Sequence, residues 1–192
     1  QNIGWMDWAK NGEAAGTSSM GYRLEAIQIQ LVKKGVTAPG QTSFTFLTAP
    51  SIEYSSELQS IGWQNTVTDG NISGTTGRGL KIEAFKASLS NLSVGISGGV
   101  SYSSQVQNIG WQLPVSDGQI SGTIGNNLRL EALKINLTGN ISKYFSISYR
   151  AHVENIGWEP FVTDGIISGT VGKGLRLSLI HISEPTRLRC IA

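Results

Sequence analysis

The chain has 192 residues, of which only 15% are charged, and a formal net charge of +2. This length allows one or two domains with a sizeable core, and the 24 glycines favour a turn-rich β protein over a helical bundle or a disordered chain. The small, dispersed charge does not support nucleic-acid binding. No apolar run approaches the roughly 20 residues of a membrane-spanning helix.

A sequence motif occurs four times along the chain without gaps. Each copy starts with Ile-Gly-Trp, has Asn-Gly or Asp-Gly six residues after the Trp, and has Ala-Gly-Thr or Ser-Gly-Thr from the tenth residue after it. The four Trp residues are Trp5, Trp63, Trp111 and Trp158. Self-similarity at a fixed period is the signature of a repeat architecture.

The spacing of the copies predicts the domain organisation. The first two Trp residues are 58 residues apart, whereas the later ones are 48 and 47 apart. The extra residues include Pro39-Gly40 and Pro50, which interrupt regular structure. We therefore predict the last repeat of a truncated preceding domain at 1–36, a linker at 37–50, and a three-repeat domain at 51–177. Its repeats fall at about 51–92, 93–139 and 140–177, and the last is truncated.

The chain departs from the repeat after Leu177. Glu-Ala and an apolar strand are expected there, but the chain continues with Ser178-Leu-Ile-His-Ile-Ser-Glu-Pro-Thr-Arg187. This string resembles the in-frame translation of a transposon-end adapter from sequencing libraries, so we expect residues 178–192 to be non-native. The alternative is natural divergence. Without this tail the chain has no cysteine, because Cys190 is the only one, and thiol catalysis or cysteine metal sites are not expected.

Each repeat predicts a series of short β-strands. Val94–Tyr102 alternates apolar and small residues, as a half-buried strand does. The Asp-Gly pairs lie between β-prone segments and predict tight hairpins. In the strand Leu128–Leu137 the apolar face changes parity at Ala132-Leu133, and in Leu24–Leu31 at Ala26-Ile27. A β-bulge is predicted at both places, because it keeps the apolar side chains on one face.

The Trp residues of the three later copies, Trp63, Trp111 and Trp158, have two interpretations. They could stack on sugar rings as a ligand platform, or each could be the buried anchor of its repeat. The flanking Ile and Gly favour the buried anchor, for which Trp111→Ala would cost about 3–5 kcal/mol.

The Asp residues of the turns, Asp69, Asp117 and Asp164, could bind Ca²⁺ or a sugar, or could serve only the turn. Asn11 replaces Asp in the first copy, and one Asp per turn is far below the ligand count of a calcium loop. Turn chemistry is therefore favoured. If a binding surface exists, we expect it to use these turns more than the Trp residues.

Other polar residues do not form a catalytic set in the sequence. Arg129 with Glu131, and Lys81 with Glu83, are predicted to be ion pairs at the bulge. His152 has no triad partner in any motif. We expect no enzyme activity, no metal site and no cofactor.

The motif resembles a known repeat family. Gln107–Gln112, Asp117-Gly118, Ser121–Thr123 and Leu128–Ala132 are similar to the clostridial hydrophobic, tryptophan-containing (ChW) repeat. The resemblance covers Gln1–Val36 and about Tyr54–Leu177. It implies a secreted or cell-surface protein of a Gram-positive anaerobe, usually of the Clostridia, and non-catalytic repeats that bind polysaccharide, cell wall or other proteins. It supplies no defined binding residues, and Met6–Trp8 departs from the Gln-x-x-Val or Glu-x-x-Val form of the other copies.

Together these patterns predict an all-β fold. Three repeats of about 48 residues would pack around a pseudo-threefold axis as in a β-prism or a β-trefoil, preceded by a partial repeat unit. An open β-solenoid is the alternative. The predicted function is a non-catalytic extracellular binding module for carbohydrate or cell-wall polymer, with no nucleic-acid partner and no membrane insertion. The alternative is a structural or adhesion module that mediates protein–protein interaction.

Overall fold

The structure is a computed structural model that describes residues 3–183 and 185–187. Within these residues the chain forms β-strands and one short 3₁₀ turn, Asn140–Lys143. The strands are β1 Gly16–Ser18, β2 Phe46–Thr48, β3 Ser51–Leu58, β4 Gly62–Trp63, β5 Val67–Thr68, β6 Ile72–Gly74, β7 Ile82–Ser90, β8 Gly99–Val106, β9 Gly110–Trp111, β10 Val115–Ser116, β11 Ser121–Gly122, β12 Leu130–Thr138, β13 Phe145–Ser146, β14 Ser148–Val153, β15 Gly157–Trp158, β16 Val162–Thr163, β17 Ser168–Gly169, β18 Leu177–Ile182 and β19 Thr186–Arg187.

Three five-stranded sheets share one plan. We call β3–β7 the first unit, β8–β12 the second and β14–β18 the third. In each unit the first and last strands form a long antiparallel pair: β3 with β7, β8 with β12, and β14 with β18. The Gly-Trp strand and the short strand after it both pair with the first strand of the unit. The all-β repeat fold predicted from the sequence is confirmed.

The fifth strand of each sheet comes from a different unit. The Ser-Gly strand of the second unit, β11, pairs with β7 of the first, and β17 of the third unit pairs with β12 of the second. The Ser-Gly strand of the first unit, β6, pairs with β18 of the third. The exchange therefore runs in a cycle through all three units. Each sheet is itself open, and assignment to the β-prism or β-trefoil class stays a prediction.

A close backbone contact explains the glycine of the Ser-Gly strands. The φ of Gly122 is +113°, and a Cβ added there would lie 2.4 Å from the carbonyl oxygen of Glu83 in the first unit. The next residue, Thr123, donates its N–H to that same oxygen at 2.9 Å. Gly74 and Gly169 make the equivalent contact against Ser178 and Glu131. We call this contact between units the glycine clasp.

Tyrosines anchor the core. The structure buries one tyrosine nine residues before each Trp: Tyr54, Tyr102 and Tyr149. The Phe85 ring lies between two units, with its centroid 6.4 Å from that of Tyr54 and 5.3 Å from that of Tyr102. The tyrosine hydroxyls also join units, because the N–H of Ile135 in the second unit donates to Tyr149 Oη at 3.0 Å.

A β-bulge is confirmed in the complete units, but it lies at Glu131 and its equivalents, just before the predicted Ala132-Leu133. The pairing of β12 with β8 shifts register between Leu130 and Ala132, and the long pairs of the first and third units shift at the equivalent place. The predicted strand Leu24–Leu31 is wrong, since residues 21–33 form no regular structure and Leu31 is 97% exposed. The equivalent strands are paired on both sides, whereas no described strand pairs with this segment.

The segments flanking the three units also carry structure. Within the predicted linker, β2 pairs in parallel with β1, and Leu47 is fully buried. Residues 178–182 continue β18, where Ile180 and Ile182 are buried. Glu184 and residues 188–192, including Cys190, lie outside the described residues. The domain boundaries and the non-native origin of 178–192 stay predictions.

The glycine clasp predicts a large difference between two Gly→Ala variants. Ala at Gly122 meets both an unfavourable φ and the backbone of β7, whereas Ala at Gly118, with a φ of +83°, has nothing within 4 Å. We expect Gly118→Ala to cost about 1–2 kcal/mol from backbone strain alone. Gly122→Ala should cost about 2–5 kcal/mol, because overpacking adds to the strain. Urea denaturation measures both, and equal free energies of unfolding for the two variants would contradict the close contact.

The buried tyrosines predict a loss of stability at alkaline pH. Burial, assisted by the negative charges of Asp69 and Asp164, raises the pKa values of Tyr54 and Tyr149 to about 12. An unfolded tyrosine titrates near 10. The folded chain therefore holds these protons more tightly, so its stability is complete below about pH 10 and falls as the pH rises towards about 12.

Denaturation with urea from about pH 8 to about pH 12 measures this loss. The variant Tyr149→Phe should be less stable at the lower pH, because the buried N–H of Ile135 loses its acceptor. It should also lose less stability on going to the higher pH. A free energy of unfolding that stays constant over the whole range would show that these hydroxyls are not buried.

Candidate functional site

Each Trp of the three units lies on the face of its sheet that points away from the core. In β3 the residues Ile52, Tyr54 and Leu58 point into the core, while Glu57 points to the other face. Trp63 pairs directly with Glu57 across the strands, and directly opposed residues share a face. Trp111 and Trp158 have the same relation to Gln105 and His152. All three indoles are half-buried.

A cationic side chain lies over the ring of the Trp in each of the three units. The Lys86 Nζ is 4.6 Å from the ring centroid of Trp63, and the Lys134 Nζ is 4.2 Å from that of Trp111. In the third unit His181 occupies the position of these lysines, and the cation comes from another strand. The guanidinium of Arg150 lies 4.6 Å from the centroid of Trp158.

The prediction that Trp is the buried anchor of each repeat is wrong. The three indoles are only half-buried and lie outside the core, which the tyrosines fill. The cost of about 3–5 kcal/mol for Trp111→Ala therefore does not follow, since it applies to fully buried aromatic residues. A sequence signal for the true anchor exists, because Tyr precedes Trp by nine residues in all three units.

Beside Trp63 the structure holds two buried carboxyl groups. Glu57 and Glu83 are 7% and 4% exposed, and within the described residues Glu57 Oε2 and Glu83 Oε1 have no hydrogen-bond partner. Burial, and then the charge of Glu83, raises the pKa of Glu57. The Lys81 Nζ lies 3.8 Å from Glu83 Oε1, which confirms the predicted ion pair.

The equivalent polar residues differ in the other two units. In the second unit Gln105 replaces the first glutamate, and Glu131 is paired with the Arg129 guanidinium at 2.9 Å, as predicted. In the third unit His152 Nδ1 and Ser178 Oγ are hydrogen-bonded at 2.8 Å. The three sites therefore share a Trp and a cation but not the polar groups beside them.

The Asp residues of the turns hold the backbone. One carboxylate oxygen of each Asp accepts a hydrogen bond from a backbone N–H of its own unit, at 2.8–3.0 Å. The donor residue lies in the first strand of the unit or directly before that strand. The donors to Asp69, Asp117 and Asp164 are Ile52, Val100 and Ile147. Both turn residues have positive φ, as the Asp-Gly prediction requires. This geometry fits turn chemistry.

One of these residues, Asp69, also lines an open cleft of about 520 Å³ between the first unit and the predicted linker. The described residues contain no group of three or more His, Cys, Asp or Glu residues that could hold a metal ion.

A further set of side chains was missed by sequence reasoning. The residue after each Trp accepts a hydrogen bond from the clasp glycine of its own unit. The pairs are Gln64 with Gly74 at 2.6 Å, Gln112 with Gly122 at 2.6 Å, and Glu159 with Gly169 at 2.5 Å. These bonds tie the Trp-bearing strand to the strand that enters the next sheet. The signal was the Gln or Glu after each of these Trp residues.

These observations define an all-β repeat module with the same aromatic and cationic surface feature on each of three sheets. The family model of the clostridial hydrophobic W repeat, ChW, matches residues 1–33, 58–91, 105–139 and 152–182. The chain belongs to this family, whose repeats are typical of bacterial surface proteins. Neither the curated proteins nor the solved structures contain a match to the chain. No helix in the described part of the chain is long and apolar enough to cross a membrane.

The carboxyl pair predicts that Glu57→Gln stabilises the protein at neutral pH. Because the folded-state pKa of Glu57 is raised, its contribution to stability is complete below the unfolded pKa and is lost as the pH rises through the folded one. The variant, which copies Gln105, should gain on the order of 1 kcal/mol at neutral pH. It should gain nothing under acidic conditions, where the carboxyl is protonated.

Urea denaturation at the two pH values measures this difference. Glu53→Gln is the matched control, since it removes the same charge from the same strand and should give a smaller change. If Glu57→Gln destabilised the protein at neutral pH, the carboxylate would have a stabilising partner and the unfavourable burial would be refuted.

Proposed function

We propose that this chain is a non-catalytic extracellular binding module of a bacterial surface or secreted protein, and that it recognises carbohydrate or cell-wall polymer. The observation that carries the proposal is the half-exposed Trp, with a cation at its ring, at the same place on three sheets. An indole offers a flat apolar surface to the C–H face of a sugar, and neighbouring polar groups can bind its hydroxyls.

The Trp residues are better candidates for ligand contact than the Asp residues of the turns. The carboxylates of Asp69, Asp117 and Asp164 are already engaged with the backbone of their own units. In the part of the chain that the structure describes, no hydrogen bond to the backbone engages the indoles on the outer face. We therefore propose Trp63, Trp111 and Trp158 as the ligand-binding residues.

The cyclic exchange of strands supports a finer proposal for the architecture. We propose a β-prism-like arrangement, in which three sheets surround a shared core and each presents one Trp outward. Three equivalent sites on one rigid body suit a polymer, because binding at one site raises the effective concentration at the others when the ligand can span them.

We also propose that these sites perform no reaction. The polar groups beside the Trp change from Glu57 to Gln105 to His152 between units. The one pair of carboxyls, Glu57 and Glu83, is buried, whereas glycoside hydrolysis needs two acids that flank a substrate.

A second candidate function is protein–protein adhesion. The Ile residue before each Gly-Trp pair is about half exposed in all three units, and Leu113 beside Trp111 is 85% exposed. Exposed apolar side chains around an aromatic residue are typical of protein interfaces.

The triple variant Trp63→Ala, Trp111→Ala, Trp158→Ala tests the main proposal. We expect it to lose binding on a glycan array and to purified cell-wall polysaccharide, while its circular dichroism spectrum stays that of the parent. The control is Asp69→Asn, Asp117→Asn, Asp164→Asn, which should keep binding because Asn also suits the turn. Free sugar should compete with the parent protein.

Two results would change the conclusion. Loss of binding in the Asn variant alone would place the binding surface at the turns. Capture of a surface protein by the parent, with no polysaccharide bound, would favour the adhesion module.

A further inference from the structure

We infer that the Trp sites select acidic sugars, meaning glycan units that carry a carboxylate. This inference rests on the proposed function, because it names the ligand class of the same sites. It is carried by the cations at the Trp rings: Lys86, Lys134 and Arg150.

The three cations are not paired with described carboxylates, although the Nε–H of Arg150 donates to His181 Nδ1 at 3.2 Å. Among the described residues the ion pairs involve Arg23, Lys81, Arg129 and Arg176. None of the cations at the Trp rings has a described carboxylate within ion-pair distance. Each is half-buried against its sheet, so part of its entropic and desolvation cost is already met in the free protein.

A cation also lies at the third Trp, but it comes from a different position of the unit. The position of Lys86 and Lys134 is taken by His181, which lies within the stretch 178–192 that is predicted to be non-native. Arg150 stands where the other units have Ser55 and Ser103. Arg150 reaches both Trp158 and Phe161, with its guanidinium 4.5 Å from the centroid of Phe161. A positive charge at the indole is therefore shared by three sites that differ in their other polar groups.

An exposed apolar side chain completes each site from the neighbouring unit. Ile72 of the first unit pairs with His181 across the sheet of the third. The residue before Ser121 and the residue before Ser168, Ile120 and Ile167, hold the equivalent positions beside Lys86 and Lys134. All three are 43–47% exposed. The resulting row of Trp, cation and Ile offers an apolar surface on either side of one positive charge.

This arrangement fits a carboxylated sugar. The carboxylate would pair with the ammonium or guanidinium group, and the C–H faces of the sugar rings would lie on the apolar side chains. An acidic peptide carries the same charge, but it would also need partners for its backbone hydrogen-bonding groups. The Trp, the cation and the Ile of each row present their side chains on the outer face of a sheet. The backbone groups of the strands there are already hydrogen-bonded to neighbouring strands.

The test compares polygalacturonate with the neutral polymer obtained by reducing its carboxyl groups. The parent protein should bind polygalacturonate at least about tenfold more tightly, a factor equivalent to about 1.4 kcal/mol. The difference should shrink as salt is added, since exposed charges are screened.

Variants then assign the preference to the three cations. The triple variant Lys86→Gln, Lys134→Gln, Arg150→Gln should lose the preference for the acidic polymer. The double variant Lys86→Arg, Lys134→Arg should retain it. The control Arg78→Gln, Lys143→Gln, Lys173→Gln removes the same charge at exposed positions that have no cation–ring contact among the described residues, and it should keep the preference.

The outcomes separate this inference from the proposed function. Equal binding of the acidic and neutral polymers by the parent would overturn the inference and leave the carbohydrate module standing. Equal losses in the two charge variants would also overturn it, because the effect would then come from net charge. Binding of poly-glutamate without binding of either polysaccharide would overturn both.

Discussion

The fold depends on the glycine clasp, in which each unit places a glycine against a strand of another unit. The backbone approach is so close that a single Cβ at Gly122 would overlap the carbonyl of Glu83. The adjacent N–H of Thr123 turns this proximity into a hydrogen bond. The second unit clasps the first, the third clasps the second, and the first clasps the third. The sheet of each complete unit therefore includes one strand from another unit.

The other features of the motif act on the same junction between units. The Gly after each turn Asp donates its N–H to the last long strand of the unit that it clasps, at 2.7–2.8 Å. The Tyr149 hydroxyl accepts from Ile135 across that junction. The first copy of the motif has a similar sequence over residues 21–33, but no described strand pairs with it. Its segment 21–33 consequently forms no strand, despite an apolar pattern equal to that of β7 or β12.

The features predicted correctly from the sequence are those that a local pattern determines. The bulge follows from a change of parity within one strand, the Asp-Gly turn from its backbone requirements, and the Arg129–Glu131 ion pair from a spacing of two. Whether the Trp or the Tyr of a unit anchors the core is not determined by residues that are close in the sequence. Burial of Tyr102 depends on Phe85 of another unit, and exposure of Trp111 depends on the face that β9 adopts beside β8. Strand pairing between distant residues decides both, and it is not visible in the pattern of one repeat.

The contacts made by each position of the motif indicate which positions serve the fold and which serve binding. The Asp, Gly and Tyr positions each have a backbone contact that accounts for the residue type, so their repetition reflects assembly of the fold. Within the described residues the indoles of the three Trp residues have no hydrogen bond to the backbone, and a residue that served only to cover the sheet would not need a cation at its ring. In the third unit that cation comes from the adjacent strand, through Arg150. A positive charge at the same place on three sheets is better explained by a requirement of the surface than by a requirement of the fold.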